Sequence, residues 1–355
     1  VIYVNARFFT QKITGVQRFA REIAKELASQ RDDIIFLVPS ISDIVDIESL
    51  NGINILEANG GSGHFWEQIT LPFFLYKRGN PLLLNLCNAA PILYYNKIIT
   101  LHDITYIKYP QSYSLKFRML YRVLTPLIIK GSRKIITVSE FSRKEISNYY
   151  NLDYGKVSVV YNAVTNEIKK TRAAITDREN KYLLAVSSQN FHKNFQTLIQ
   201  AFSGYSGSLS LKIIGDKAQA FNGVEYVSND NRIQFLGRVS DVELANLYTN
   251  AYGFIFPSLY EGFGIPPLEA QYCGCPVISS DRASMPEVLG NSVLYFNPES
   301  TSEIVMAILK LENNKNIRDE LIERGRENAS RFSWSKSALE VNNIINEHLN
   351  KRGKK

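Results

Sequence analysis

Two glutamates eight positions apart, Glu261 and Glu269, bracket a segment rich in glycine and proline within PSLYEGFGIPPLEA. Gly262 and Gly264 let backbone amides approach a ligand closely, and Pro266-Pro267 suits the first turn of a helix. A helix start offers unpaired N–H groups and the positive end of a dipole, a place for phosphate. Carboxylates repel phosphate, so the two acids are better suited to hydroxyl groups at either end of a ligand, where charge-assisted hydrogen bonds are strong. Polyols on both sides of a diphosphate describe a nucleotide sugar. The plainer alternative makes Glu269 a complement to the helix dipole and Glu261 a solvated loop residue. The glycines, the prolines and the strand YGFIF just upstream favour the functional reading.

These residues need elements to hold them. Short apolar runs recur along the chain: IYV, DDIIFLV, INIL, PLLLNL, KIITL, KIITV and VSVV, then YLLAV, LKII, RIQFL, YGFIF and CPVIS. Helical stretches such as GVQRFAREIAKELASQ, NFQTLIQAF and DVELANLY alternate with them, which predicts an α/β protein with two parallel sheets. Helix caps are expected at Ser240 with Glu243 and at Ser142 with Glu145. The polar run 166–180 is predicted to be a linker between a first domain, 1–165, and a second, 181–334. A final helix over 335–355 is expected to return to the first domain. Ligands of open parallel sheets bind beyond the carboxyl ends of strands, which directs attention to the loops there.

The 355 residues exceed one typical core, and 45% hydrophobic content with 21% charged content is that of a folded globular protein. Lys and Arg number 41 against 34 Asp and Glu, a net +7 that suits a phosphate-bearing partner. A nucleic-acid binder would account for the charge but not for paired acids in a Gly/Pro loop, so no nucleic-acid partner is expected. Three cysteines, Cys87, Cys273 and Cys275, argue against a disulfide framework, and the expected location is cytoplasmic. Cys273-x-Cys275 has no second pair at zinc-ligand spacing, and no metal site is expected.

The chain resembles the retaining glycosyltransferases of family four, which have the two-domain GT-B architecture. The likeness is carried by TGVQRF, LHDITYIKYP, TVSEFS, VVYNAV, HKN, FLGRVSD and PSLYEGFGIPPLEAQYCGCPVISSD, followed by SMPEVLG. It implies two Rossmann-like domains facing each other across a cleft, the first binding the acceptor and the second the nucleotide-sugar donor. In that family the residue matching Glu261 lies by the transferred sugar and the one matching Glu269 holds the ribose. Backbone groups matching Phe263, Gly264 and Ile265 contact sugar and phosphate. Lys193 matches a lysine that grips the diphosphate, and Gly15 matches a glycine whose backbone approaches it from the first domain. His102 matches a histidine beside the transferred sugar, hence a catalytic candidate with Glu261. Many relatives carry an arginine upstream of the lysine where this chain has Ser187 and Ser188, so His192 or Arg238 is expected to supply the second cation.

The function so implied is retaining transfer of a hexose, with GDP-mannose as the first candidate donor, to a hydroxyl of a growing lipid-linked glycan such as O-antigen or capsule. No cofactor is expected: the chain has no Asp-x-Asp triplet to anchor a metal diphosphate. The alternatives are a GT-B sugar-nucleotide epimerase and a non-catalytic sugar- or nucleotide-binding protein. From Thr105 to Tyr150 nine Lys or Arg stand against two acids. Phe117, Leu120, Leu124 and Leu127 repeat there at helical spacing, a pattern compatible with contact to an anionic membrane and equally with a core helix.

Overall fold

The computed structural model describes residues 1–171, 181–186, 190–215 and 230–352. Ser187, Ser188 and the expected linker beyond Thr171 lie outside these. The chain divides into two compact units. One comprises Val1–Ile104, Leu115–Asn162 and Ser333–Lys355, the other Thr105–Ser114 and Ala163–Phe332. Residues 105–114, read from sequence as part of the first domain, therefore group with the second.

The first unit contains seven parallel strands: β1 (Ile2–Asn5), β2 (Ile34–Val38), β3 (Ile55–Glu57), β4 (Leu82–Asn85), β5 (Lys97–Thr100), β6 (Lys134–Thr137) and β7 (Val157–Val159). Their order is β3-β2-β1-β4-β5-β6-β7. The chain thus winds outward from β1 to one side, returns, and continues from β4 to the other. Central strands such as Leu82–Asn85 are buried at every position, because helices cover both faces and leave no solvated side to select polar residues. Tyr3, Leu37, Trp66, Leu71, Leu75, Leu83 and Tyr94 form one of its core clusters. The C-terminal helix Trp334–Arg352 belongs to this unit. It packs on helix Gly15–Gln30, where Trp334 meets Phe19 edge to face and Asn342 donates to Gln30 at 2.6 Å.

The second unit contains β8 (Tyr182–Val186), β9 (Ser210–Ile214), β10 (Ile233–Gly237), β11 (Gly253–Phe256), β12 (Val277–Ser280) and β13 (Val293–Phe296), all parallel, in the order β10-β9-β8-β11-β12-β13. Strand β13 was not anticipated. It is a four-residue edge strand, VLYF, apolar at every position, whose middle residues, Leu294 and Tyr295, are half-buried. The core here unites Leu183, Phe195, Leu198, Phe202, Ile255 and Ile308.

Of the two expected helix caps, one forms at the expected residues. Ser240 and Glu243 form a reciprocal capping box on helix Asp241–Asn250. The helix containing SRKE starts earlier, at Glu140, and its cap is Ser139, whose Oγ receives the Ser142 N–H at 3.0 Å. Ser139 is extended, as an N-cap must be, whereas Ser142 is already inside the helix. The run expected as linker begins with a short helix, Asn166–Lys170. Helix Leu115–Lys130 continues through Pro126, and it exposes Leu115, Met119, Leu120, Val123 and Leu127. Phe117 and Leu124, expected on the same apolar face, are half-buried instead.

Candidate functional site

The strand order of the second unit reverses between β8 and β11, and in parallel sheets the crevice beyond the strand ends at such a point is where ligands bind. The loop after β8 carries Lys193 and the loop after β11 carries Glu261. Their side chains meet: Lys193 Nζ lies 2.6 Å from Glu261 Oε1, with side-chain exposures of 18% and 12%. Sequence reading gave these residues separate tasks, whereas here each is the other's partner. An ammonium has three donors, so Lys193 can keep this contact and still reach an anion.

Each residue of HKN has a different position. Asn194 adopts a left-handed conformation and donates from Nδ2 to the carbonyls of Pro257 and Pro298, at 3.1 and 2.7 Å, tying this loop to those after β11 and β13. His192 is buried. Its carbonyl accepts the Leu259 N–H at 2.7 Å, its own N–H donates to Ser112 Oγ at 3.2 Å, and its Nδ1 lies 2.8 Å from the same oxygen. Burial, with help from the neighbouring Lys193 charge, pushes its pKa down to about 3. His192 is therefore neutral at physiological pH in this structure, with its ring engaged by Ser112.

This has a measurable consequence. Because the folded pKa lies below the ordinary 6.5, the unfolded chain takes up a proton between those values that the folded chain refuses. The stability contributed by neutral His192 is fully present above pH 6.5 and falls by up to about 1.4 kcal/mol per unit as the pH drops toward 3. Urea unfolding at pH 7.5, 5.5 and 4.5 should show a steeper acid loss in the wild type than in His192→Asn. Parallel losses in the two proteins would contradict the assignment.

The loop after β11 runs into helix Ile265–Tyr272, with Gly264 as its N-cap. Gly264 has φ +89°, a region that favours glycine, and a Cβ there would stand 2.5 Å from Met285 Cε. Ile265, Pro266 and Pro267 open the helix. Since proline has no N–H, the first turn presents fewer donors than an ordinary helix start, with that of Ile265 among those left. Phe263 is buried edge to face against Phe332, which fixes the loop beneath its backbone. Ser284 Oγ donates to the Glu261 carbonyl at 2.9 Å. Glu269 is buried one turn into the helix and accepts from Thr165 Oγ1 at 3.3 Å.

Arg238 is exposed after β10, the edge strand, with β9 between it and β8. Arg282, not singled out from sequence, follows β12 beside β11 and pairs with Asp281 and Glu299 at 2.9 and 3.5 Å. The strand-end rule applied to CPVIS would have found it. Ser112, Thr165 and Ser284 were also missed, because a hydroxyl in a loop carries no sequence signal of its own. A cavity of about 260 Å³ lined by Lys181, Tyr252, Pro276 and Arg318 lies at the opposite, amino-terminal ends of these strands, away from Lys193 and Glu261.

Gly15 and His102 belong to the first unit. Gly15 is the exposed first residue of helix Gly15–Gln30, with open space where a Cβ would stand. His102 is buried after β5, edge to face with Phe19. Its N–H donates to Asn88 Oδ1 at 2.9 Å, and its Nε2 lies 3.3 Å from the Leu86 carbonyl. A carbonyl only accepts, so the proton sits on Nε2 and Nδ1 is left as an acceptor. Burial lowers its pKa, so the ring is predominantly neutral near pH 7.

The family model described as Glycosyltransferase Family 4 matches residues 13–167, and that described as Glycosyl transferases group 1 matches residues 167–328. The chain is 35% identical over 242 residues to the O-antigen chain mannosyltransferase RfbU of Salmonella typhimurium, covering 67% of each chain. It is 30% identical over 270 residues to O-antigen chain mannosyltransferase B of Escherichia coli, covering 69% of each. Among solved structures it is similar in fold to Anabaena HepE in complex with UDP and glucose. That likeness has a TM-score of 0.75 and 16% identity, over 98% of this chain and 99% of that one.

Proposed function

Since this chain belongs to the glycosyltransferases of family 4, we propose that it transfers mannose from GDP-mannose to a hydroxyl of a growing lipid-linked glycan such as O-antigen, with retention of configuration and without a metal ion. The observation that carries the reading is the Lys193–Glu261 pair beside the Gly264–Ile265 helix start at the point where the strand order reverses. The two O-antigen mannosyltransferases support the choice of sugar. In the reaction, the bond from C1 of the sugar to the diphosphate oxygen breaks and a bond from C1 to the acceptor oxygen forms. The acceptor's hydroxyl proton leaves with the diphosphate.

Lys193 and the backbone at Phe263, Gly264 and Ile265 take the diphosphate, so the charge growing on the leaving group meets an ammonium and amide donors. Glu261 faces the sugar as positive charge develops at C1, and Glu269, oriented by Thr165, holds the ribose hydroxyls. Arg238, being exposed at the sheet edge, is assigned to the outer part of the donor. GDP should raise the melting temperature of the protein more than UDP or dTDP does. Transfer from GDP-mannose should survive EDTA, and NMR of the product's anomeric proton should show the donor's configuration. An inverted product would overturn the mechanism, and indifference to every nucleoside diphosphate would overturn the function.

We also infer peripheral contact with an anionic bilayer. Helix Leu115–Lys130 exposes Leu115, Met119, Val123 and Leu127 alongside Lys116 and Arg122. A second exposed stripe in the same unit, Phe65, Ile69, Phe73 and Tyr76, is flanked by Lys77 and Arg78. Among the described residues no helix is long and apolar enough to cross a membrane. Cosedimentation with vesicles should require anionic lipid and weaken with salt. Binding that ignores lipid charge, or none, would count against it.

A further inference from the structure

The first unit has its own point of reversal, between β1 and β4, and a polar cluster fills it. Asn5 and Asn85 are register partners at the ends of these two strands. Asn5 Nδ2 donates to Asn85 Oδ1 at 3.1 Å and to Glu67 Oε1 at 2.7 Å. Arg7, two residues beyond Asn5, donates from Nη2 to Glu67 Oε2 at 3.2 Å, and His64 Nδ1 lies 3.5 Å from that oxygen. Glu67 is 2% exposed, Arg7 16% and His64 48%. The carboxylate is thus the floor of the cluster, and the guanidinium and imidazole are its open side.

Two features set this cluster apart from an ordinary buried ion pair. The helix supplying Glu67 widens to π geometry over Trp66–Thr70, a distortion that recurs at functional sites. The indole of fully buried Trp66 is anchored by donation from Nε1 to the Ala58 carbonyl at 2.6 Å, so the residue beside Glu67 is held fast. In addition, Arg7 spends only one of its side-chain nitrogens on Glu67. Among the described residues its Nε and Nη1 have no side-chain or carbonyl partner. A guanidinium held rigidly by one corner at a sheet's switch point, with its other donors open, is preorganised for oxygen atoms. Glu67 cancels its charge, which favours the hydroxyl and ring oxygens of a sugar over a phosphate.

We propose that Arg7, held in place by the buried carboxylate of Glu67, binds oxygens of the acceptor sugar, and that Glu67 is the positioning residue that sets acceptor affinity. This rests on the reading of the chain as a glycosyltransferase that elongates a glycan. The test uses the full chain with GDP bound and follows saturation-transfer NMR of the methyl glycosides of mannose, galactose, rhamnose and N-acetylglucosamine. At least one should give a signal in the wild type. Arg7→Ala and Glu67→Gln should weaken that ligand by roughly tenfold or more, the scale of a charge-assisted contact, while GDP affinity stays unchanged. Arg7→Lys preserves the ion pair and with it the fold, but removes the planar fork, so it should also lose sugar affinity. A merely structural pair would be rescued by lysine. Normal sugar binding in Arg7→Lys, or no signal from any glycoside in a wild type that binds GDP, overturns the proposal. Failure to bind GDP overturns the underlying function instead.

Discussion

Glu261→Gln should lower kcat for sugar transfer by on the order of 10²–10³ while leaving the donor KM nearly unchanged. Under the proposed mechanism the carboxylate faces a carbon that is neutral in the bound donor and gains positive charge as the diphosphate departs. Its benefit is concentrated in the transition state, and only such interactions raise kcat. Glutamine is nearly isosteric, so the loop after β11 keeps its shape and the backbone bond from Ser284 survives. The same change also releases Lys193 from its 2.6 Å partner. GDP affinity should hold or rise, because the ammonium no longer divides its donors between a carboxylate and a phosphate. Initial rates and GDP calorimetry on the same preparation check both signs, and an unaltered kcat would remove Glu261 from the reacting centre.

Lys193→Ala should act in the opposite sense, weakening GDP by about 1.5–3 kcal/mol, or roughly ten- to a hundredfold. His192 is held neutral by burial and turned to Ser112, and Arg238 stands beyond β9. The variant also leaves Glu261, only 12% exposed, without its counter-ion next to an incoming diphosphate. Lys193→Arg should restore part of the affinity, since charge matters more than shape at this contact. The double variant Lys193→Ala with Glu261→Gln should bind GDP better than Lys193→Ala alone, because it removes the repulsion that the single change exposes. Equal GDP affinity in wild type and Lys193→Ala would refute the role.

Much of the candidate site in the second unit could be read directly because its residues are contiguous. Glu261, the glycines, the prolines and Glu269 fall within nine residues on one strand-to-helix loop, and the parallel sheet dictates that such a loop faces the ligand. The sheets themselves were legible because strands buried on both faces leave unbroken apolar runs. β13, although apolar throughout as VLYF, is only four residues long and was not singled out. The pairing of Lys193 with Glu261, 68 positions away, depends on which strands become neighbours, and no local pattern encodes that. The cluster of Asn5, Arg7, Glu67 and Asn85 is harder still. Its members are spread over 80 positions, each is an unremarkable polar residue alone, and only the return of the chain from β3 to β4 assembles them. His192 shows the converse limit. Its type suggested a cation, and its burial against Ser112 makes it the opposite.

The assignment of Thr105–Ser114 to the second unit bears on how relatives of this chain can be recombined. A chimera spliced near residue 163 would take His192 from one parent and Ser112 from the other, leaving a buried imidazole opposite whatever the foreign sequence supplies. The second unit is therefore not portable as a single contiguous cassette. The module that must travel intact is discontinuous: the decapeptide 105–114 together with 163–332, with the terminal helix after Ser333 retained by the recipient.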